Sequence, residues 1–464
     1  MNTDSVIFIS CFLPLCILLY RLIRNETARK ALLLAAGLIF YAFGSLSGLL
    51  VLVASALVNF LAVRLLSKGK GGKWLTGGMI AINLALLIAY KYVDFVLSGI
   101  LSLPQTGLSL AAPLGISFFT FKAISALADL SRKPQTEPVR FGTFLLYLSF
   151  FPQVLAGPIT RFGDFQAELH HPVMDLEGLT DGLRRFVIGL SKKLLLASVL
   201  GTAADQVFAL DSGSFNATLA WVGAIAYFLQ IYFDFSGYSD MAIGLGRIFG
   251  FSTPENFQYP YIADSVGNFW RRWHISLSGW FRDYVYIPLG GNRKGPFRTA
   301  LHKLIVFTLC GIWHGANWTF LVWGLWHSLF TALESLQIIP VKKFSRSTAG
   351  RVLGHVYTLL VVLLGFVLFR AESVAQGLAV IGAMFTGFSQ PAALPLGQLL
   401  TGQCCVVLAA GAVLCLPVLP WIRKHPRLES RLQPLSWIGC AVLFVLCLMK
   451  LAAGGFAPFI YAQF

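Results

Sequence analysis

The chain is divided into long uninterrupted apolar runs, among them residues 31–43, 48–66, 352–369 and 435–451, with its charged residues bunched between them. A hydrocarbon layer of ~30 Å is crossed by ~20 mostly apolar helical residues, so runs of this kind are what a bilayer requires. Only 12% of the 464 residues are Asp, Glu, Lys or Arg, about half the share found in an average soluble protein. The expected fold is an all-α, polytopic membrane protein with about a dozen crossings or partial crossings.

The chain carries 36 Lys and Arg against 20 Asp and Glu, a formal charge of +16. These cations lie in short loops between apolar runs: Arg21, Arg24, Arg29 and Lys30; Lys68, Lys70 and Lys73; Arg293, Lys294 and Arg298; Lys342, Lys343, Arg346 and Arg351; Arg423, Lys424, Arg427 and Arg431. A nucleic-acid binder concentrates its basic residues on a folded polar domain, and no segment here is long enough for one, so no nucleic-acid partner is expected. Basic loops of this kind stay cytoplasmic, which orients the chain and places its amino terminus outside the cytoplasm. The first residues, Met1–Ile9, lack a basic leader, so the first apolar run is expected to remain as a helix. Eight cysteines are scattered through apolar runs without metal-binding spacing, and they read as small buried hydrophobes. No metal is expected.

The whole chain, 1–464, reads as one membrane-embedded domain. Residues 1–112 form simple scaffold helices, 113–336 a more polar core, and 337–464 a second scaffold with little chemical information. In the core, Lys122 and Asp129 lie seven residues apart and share one helix face. A charge at membrane depth needs a water-filled cavity or a partner, unless it snorkels to the interface. The stretch 150–165 holds Pro152, Gly157 and Pro158 and is expected to break or re-enter. In 227–251, Asp234 either caps a helix broken at Gly237 or lines a pathway, and Gly246 and Gly250 offer a GxxxG packing pair. The polar stretch 256–303 alternates Trp270, Trp273, Trp280, Phe281, Tyr284 and Tyr286 with Arg271, Arg272, Arg282 and Arg293. That pattern suits a segment lying in the cytoplasmic headgroup layer.

Several chemistries are excluded. The glycines of 290–295 have phosphate-loop spacing, but Pro296 stands where a lysine is required. There is no nucleophile elbow and no HExxH metal helix. Two histidines remain in aromatic, glycine-bearing settings, His274 in WRRWHIS and His314 in GIWHGANW. His314 follows Lys303 by eleven residues, a helical rise of ~16 Å, which sets it near mid-membrane if Lys303 marks the interface. A desolvated imidazole is neutral at physiological pH and can take a proton from a hydroxyl as it attacks an acyl carbonyl. A satisfied core histidine would read the same way. Gly315 and Asn317 leave room beside the ring and place Asn317 with Lys122 and Asp234 as candidate pathway-lining residues. His327 reads as structural.

The segments WRRWHISLSGWFRDYVYIPLGGNRKG and GIWHGANWTFLVWGLWH, supported by LGISFFTFKAISALAD, FFPQVLAGPITRF, YFDFSGYSDMAIG and NFQYPYI, resemble the membrane-bound O-acyltransferase superfamily. The likeness is to its bacterial branch, which acetylates alginate or moves acyl groups to cell-wall polymers, and most of all to the alginate O-acetyltransferases. It runs from about 113 to 330. It implies a multi-helix bundle whose broken and re-entrant helices line a central tunnel, with His314 as catalytic histidine and His274 beside the same passage, where it would position or polarise the acyl carbonyl. It further implies a multi-pass protein of the bacterial inner membrane with no resident cofactor. The donor would be acetyl-CoA or an acyl carrier protein thioester from the cytoplasm, and a separate extracytoplasmic acyltransferase would complete delivery to an exported polysaccharide. Arg271, Arg272 and Arg282 would then hold donor phosphates, or grip anionic lipid headgroups. D-alanyl or peptidoglycan acyl transfer is the alternative cargo. A transporter or flippase using Lys122 and Asp234 is the alternative of another class.

Overall fold

The computed structural model describes residues 2–101, 112–133, 138–169, 175–211, 213–344 and 346–454, so the end of the amino-terminal scaffold, 102–111, lies outside the described residues. Every regular element among them is helical. Six helices are long and apolar enough to cross a bilayer: Leu46–Ser67, Gly72–Lys91, Leu176–Phe208, Ala217–Ile248, Thr348–Arg370 and Pro426–Ala452. The apolar runs thus become an all-α, polytopic architecture. The long spans are fewer than length alone allows, because the polar core breaks into shorter pieces such as Ile116–Arg132, Phe141–Ser149, Phe162–Leu169, Val266–Trp270 and Ile275–Phe281.

Helix starts follow local chemistry. Asn25, Ser45, Ser265, Asn317, Ser347, Ser373 and Thr401 each accept a backbone N–H of the turn they open, as short oxygen-bearing side chains do at N-caps. Leu46–Ser67 is apolar all round: Leu52, Ala56, Asn59 and Val63 are buried on one face, while Leu50, Leu57 and Leu61 are exposed on another. A helix with two apolar faces suits protein on one side and lipid on the other.

Contacts divide the chain into two compact units, Met1–Ile188 with Tyr238–Glu255, and Gly189–Gly237 with Asn256–Phe464. The first unit is built around phenylalanine rings: Phe40 and Phe151 lie 5.8 and 6.2 Å from Phe8, and Phe249 lies 5.6 Å from Phe151. The stretch 150–165 breaks as expected, with one helix ending at Ser149 and the next starting at Phe162. Gln153 organises the break, accepting from Lys122 Nζ at 3.1 Å and Thr160 Oγ1 at 3.0 Å and donating to Thr253 Oγ1 at 3.0 Å. Gly115 is required beside it, since φ is +72° and a Cβ would fall 2.2 Å from the Val154 carbonyl oxygen.

Two expectations for 227–251 are corrected. The helix Ala217–Ile248 runs through Gly237 without a break, because Gly237 serves close packing: a Cβ there would sit 2.6 Å from the Gly189 carbonyl oxygen. Gly250 ends the helix rather than forming a packing pair with Gly246. Its φ is +84°, and the N–H groups of Phe251 and Gly250 return to the carbonyls of Gly246 and Arg247, the pattern of a left-handed helix cap. Glycines that let two helices meet in the first unit include Gly182 and Gly244, where each Cβ would lie 2.6 and 2.5 Å from the other's carbonyl oxygen.

In the second unit, the helices Pro296–His314 and Trp318–Ser335 form a close hairpin, and Thr348–Arg370 packs on the latter. Gly311 and Gly324 set the hairpin spacing, since a Cβ on either would strike backbone of the facing helix at 2.4–2.5 Å.

Gly244→Leu is expected to lower the melting temperature of the detergent-solubilised protein, at a cost of about 1–3 kcal/mol or more for overpacking. Gly439→Ala, where nothing lies within 4 Å of the added carbon, is the control expected to leave it unchanged. Tryptophan-fluorescence melting of both variants checks this.

Candidate active site

His314 is the last residue of its helix, and Gly315 turns the chain toward the next. The imidazole is 3% exposed and enclosed by rings: Trp313 and Trp323 have centroids at 5.0 Å, Phe369 at 5.1 Å and Phe320 at 6.4 Å. Trp323 and Phe369 stand nearly perpendicular to it, at 90° and 86°, the edge-to-face arrangement that aromatic quadrupoles favour. The glycine beside the histidine serves this cage, for a Cβ on Gly315 would fall 2.7 Å from the Phe320 ring. Asn317 caps the following helix, accepting from Thr319 N at 3.0 Å and donating to the Glu372 carbonyl at 3.1 Å.

His274 is brought to the same neighbourhood from the polar stretch. Trp313 neighbours both histidines, its ring 6.3 Å from His274 and 5.0 Å from His314. The Phe235 ring meets His274 edge-on at 4.6 Å. His274 is 1% exposed, and this burial pushes its pKa down to about 3, so the ring is neutral at physiological pH. Its backbone is left-handed, φ 44° and ψ 53°, which is uncommon for a residue with a side chain.

The headgroup-layer expectation for 256–303 is corrected in its aromatic half. Trp270, Trp273, Trp280 and Phe281 are buried, with Phe269 stacked on Trp273 at 5.4 Å. These rings belong to the core of the second unit. The arginines do face outward in part. Arg271 and Arg282 are exposed and Arg272 is half-buried. Arg272 is engaged within the fold, donating to Asn268 Oδ1 at 3.1 Å and the Gln258 carbonyl at 3.0 Å. Arg282 donates to Asp283 at 2.7 Å.

Lys122 does not snorkel. It is buried in the first unit, donating to the Tyr147 carbonyl and Gln153 at 3.1 Å each. Asp234 forms a buried ion pair with Lys193 at 2.8 Å in the second unit, with side chains 5% and 1% exposed. His327 is fully buried and accepts from Trp270 Nε1 at 3.4 Å.

Sequence reading missed Lys193, Asn256 and Phe369. Lys193 was findable, because a second charge inside an apolar stretch calls for an opposite partner. Phe369 lies in the carboxyl-terminal scaffold, which is corrected as chemically uninformative: that ring forms one wall of the His314 cage. Asn256 and its partner His274 are eighteen residues apart with no helical register joining them.

A family model described as the membrane-bound O-acyltransferase family matches residues 36–375, which include both histidines and Phe369. The chain belongs to that family. A Pseudomonas putida protein named "Probable alginate O-acetylase AlgI" is 36% identical across 99% of both chains. A Pseudomonas aeruginosa protein of the same name is 38% identical over 82% of this chain and 74% of its own. A peptidoglycan O-acetyltransferase of Helicobacter pylori is 34% identical over 82% of this chain and 79% of its own. Membership makes this chain a multi-pass membrane O-acyltransferase.

Lys193→Met is expected to destabilise this acyltransferase by about 3–5 kcal/mol, since it leaves a buried carboxylate without its cation. Adding Asp234→Leu is expected to recover most of the loss. Thermal unfolding of the single and double variants in detergent distinguishes this from a pair that contributes nothing.

Proposed function

We propose that this enzyme moves an acyl group, acetyl in the first instance, from a cytoplasmic thioester across the bacterial inner membrane for O-acetylation of an exported polysaccharide such as alginate. The observation that carries the reading is the identity across 99% of both chains with a relative named as an alginate O-acetylase. The buried imidazole pair supports it from the side of chemistry. The donor is acetyl-CoA or an acyl carrier protein thioester, bound as substrate, with no resident cofactor. A separate extracytoplasmic acyltransferase receives the group. The amino terminus lies outside the cytoplasm, as the basic loops require.

His314 is the general base. As a hydroxyl oxygen attacks the thioester carbonyl, the C–O bond forms and the imidazole takes the hydroxyl proton. The C–S bond then breaks, and the departing thiolate takes that proton from the imidazolium, so the ring returns to its starting state. The aromatic walls keep bulk water from competing as nucleophile. Arg271 and Arg282 are exposed cations available to donor phosphates, and Asp234 and Asn317 border the passage or hold the elements that do. The chemistry lies within 113–336, with Phe369 added from the carboxyl-terminal scaffold.

Peptidoglycan acetylation is the second reading, favoured by the Helicobacter pylori relative. A His314→Ala strain with normal membrane levels of the protein is expected to lose polysaccharide acetyl groups, with transfer by purified protein falling about 10²–10⁴-fold. Undiminished acetylation would sink the assignment. Label appearing in peptidoglycan, with none in exopolysaccharide, would move it to the second reading.

A further inference from the structure

Among the described residues, the left-handed backbone at His274 is one of three such positions outside glycine, and Tyr259, φ 47°, is another. Conformations of this kind are strained for a residue with a side chain and persist only where the surroundings over-determine them. Here the surroundings centre on Asn256, whose relative exposure is 0%. Its carbonyl oxygen accepts from Ile275 N at 3.0 Å, while Gln258 N donates to the Arg272 carbonyl at 3.0 Å. Its side-chain Oδ1 lies 3.1 Å from Ser276 N, 3.0 Å from Ser276 Oγ and 3.2 Å from His274 Nδ1.

That geometry decides which imidazole nitrogen holds the proton. A backbone N–H only donates, so the amide atom facing Ser276 N must be the oxygen; the flipped amide would set donor against donor. An amide oxygen only accepts, so His274 Nδ1 must bear hydrogen. In the neutral ring Nε2 then presents a lone pair. Burial keeps the ring neutral, with its pKa pushed down to about 3.

We propose that Asn256 is a positioning residue for acyl transfer, holding His274 as the Nδ1–H tautomer so that Nε2 meets the reacting groups as an acceptor and never as a donor. The second half of this rests on the acyl-transfer reading above. A lone pair cannot donate to a carbonyl oxygen, so in this tautomer His274 does not polarise the acyl carbonyl, a role the resemblance offered for it. A hydrogen bond to one ring nitrogen sets the tautomer of a functional histidine, and a ring held in the wrong tautomer loses its function with its geometry intact.

The test uses full-length protein labelled with 15N-histidine in lipid nanodiscs, with the His274 resonances identified by their absence in His274→Gln. The expected spectrum has a protonated Nδ1 and an unprotonated Nε2. A protonated Nε2 in the wild type, in either a neutral or a cationic ring, overturns the proposal, and this readout needs no Asn256 variant to fold. Asn256→Leu is expected to lower kcat about 10–100-fold with little change in donor KM, and to lose the Nδ1–H signature. Asn256→Asp keeps an acceptor oxygen; it is expected to restore that signature and most of kcat, with the acid limb of the pH profile moved upward because a carboxylate stabilises the imidazolium. Wild-type kcat in Asn256→Leu overturns the positioning role. No acetyl transfer by the wild-type protein from either thioester donor would instead sink the acyl-transfer reading while leaving the His274 spectrum as it is.

Discussion

A cation, a carboxylate or an amide carried into an apolar interior loses its hydration, and the fold has to replace it at short range. This requirement organises the polar half of the chain. Lys193 meets Asp234 at 2.8 Å, Lys122 meets the Tyr147 carbonyl and Gln153, and Glu334 receives the backbone N–H groups of Val266 and Gly267 at 2.7 and 2.9 Å. Each contact joins segments distant in sequence. The polar residues that interrupt the apolar runs therefore act as ties between helices, and they fix where the short helices of the core can lie.

Glycine does the complementary work for the apolar half. Without a hydrophobic driving force between helices in lipid, close backbone approach supplies the attraction. Gly182 with Gly244, Gly189 with Gly237, and Gly311 with Gly324 each bring backbone within the space a methyl group would fill. The last of these matters most for chemistry. It sets the hairpin whose turn carries His314, and Gly315 admits the Phe320 ring beside the imidazole.

The enclosure of His314 by Trp313, Phe320, Trp323 and Phe369 suits the general-base role proposed for it. His274 also neighbours Trp313, held by Asn256 in a backbone conformation its residue type seldom adopts. A site of this kind combines a dry environment with fixed hydrogen-bond directions, and preorganisation of that sort lowers the reorganisation required during reaction. Its aromatic content also explains why the Trp- and Arg-rich stretch misleads when read for amphipathicity. Rings that would suit a headgroup layer serve here as packing around an imidazole.

The apolar runs and scarce charges were sufficient by themselves to make the chain a polytopic helical membrane protein, because backbone in hydrocarbon must satisfy its own hydrogen bonds and ~20 residues are needed per crossing. The break after Ser149 was legible too, since proline and glycine act locally. The two histidines stood out as imidazoles in aromatic surroundings. What the linear pattern could not supply was who answers whom: Lys193 for Asp234, Phe369 for His314, Asn256 for His274. Those pairings join residues with no shared helical register, and only the packed backbone brings them within the few ångströms at which hydrogen bonds and ring contacts act. The same reason separates Gly237, which looked like a break and packs a continuous helix, from Gly250, which looked like a packing residue and ends one.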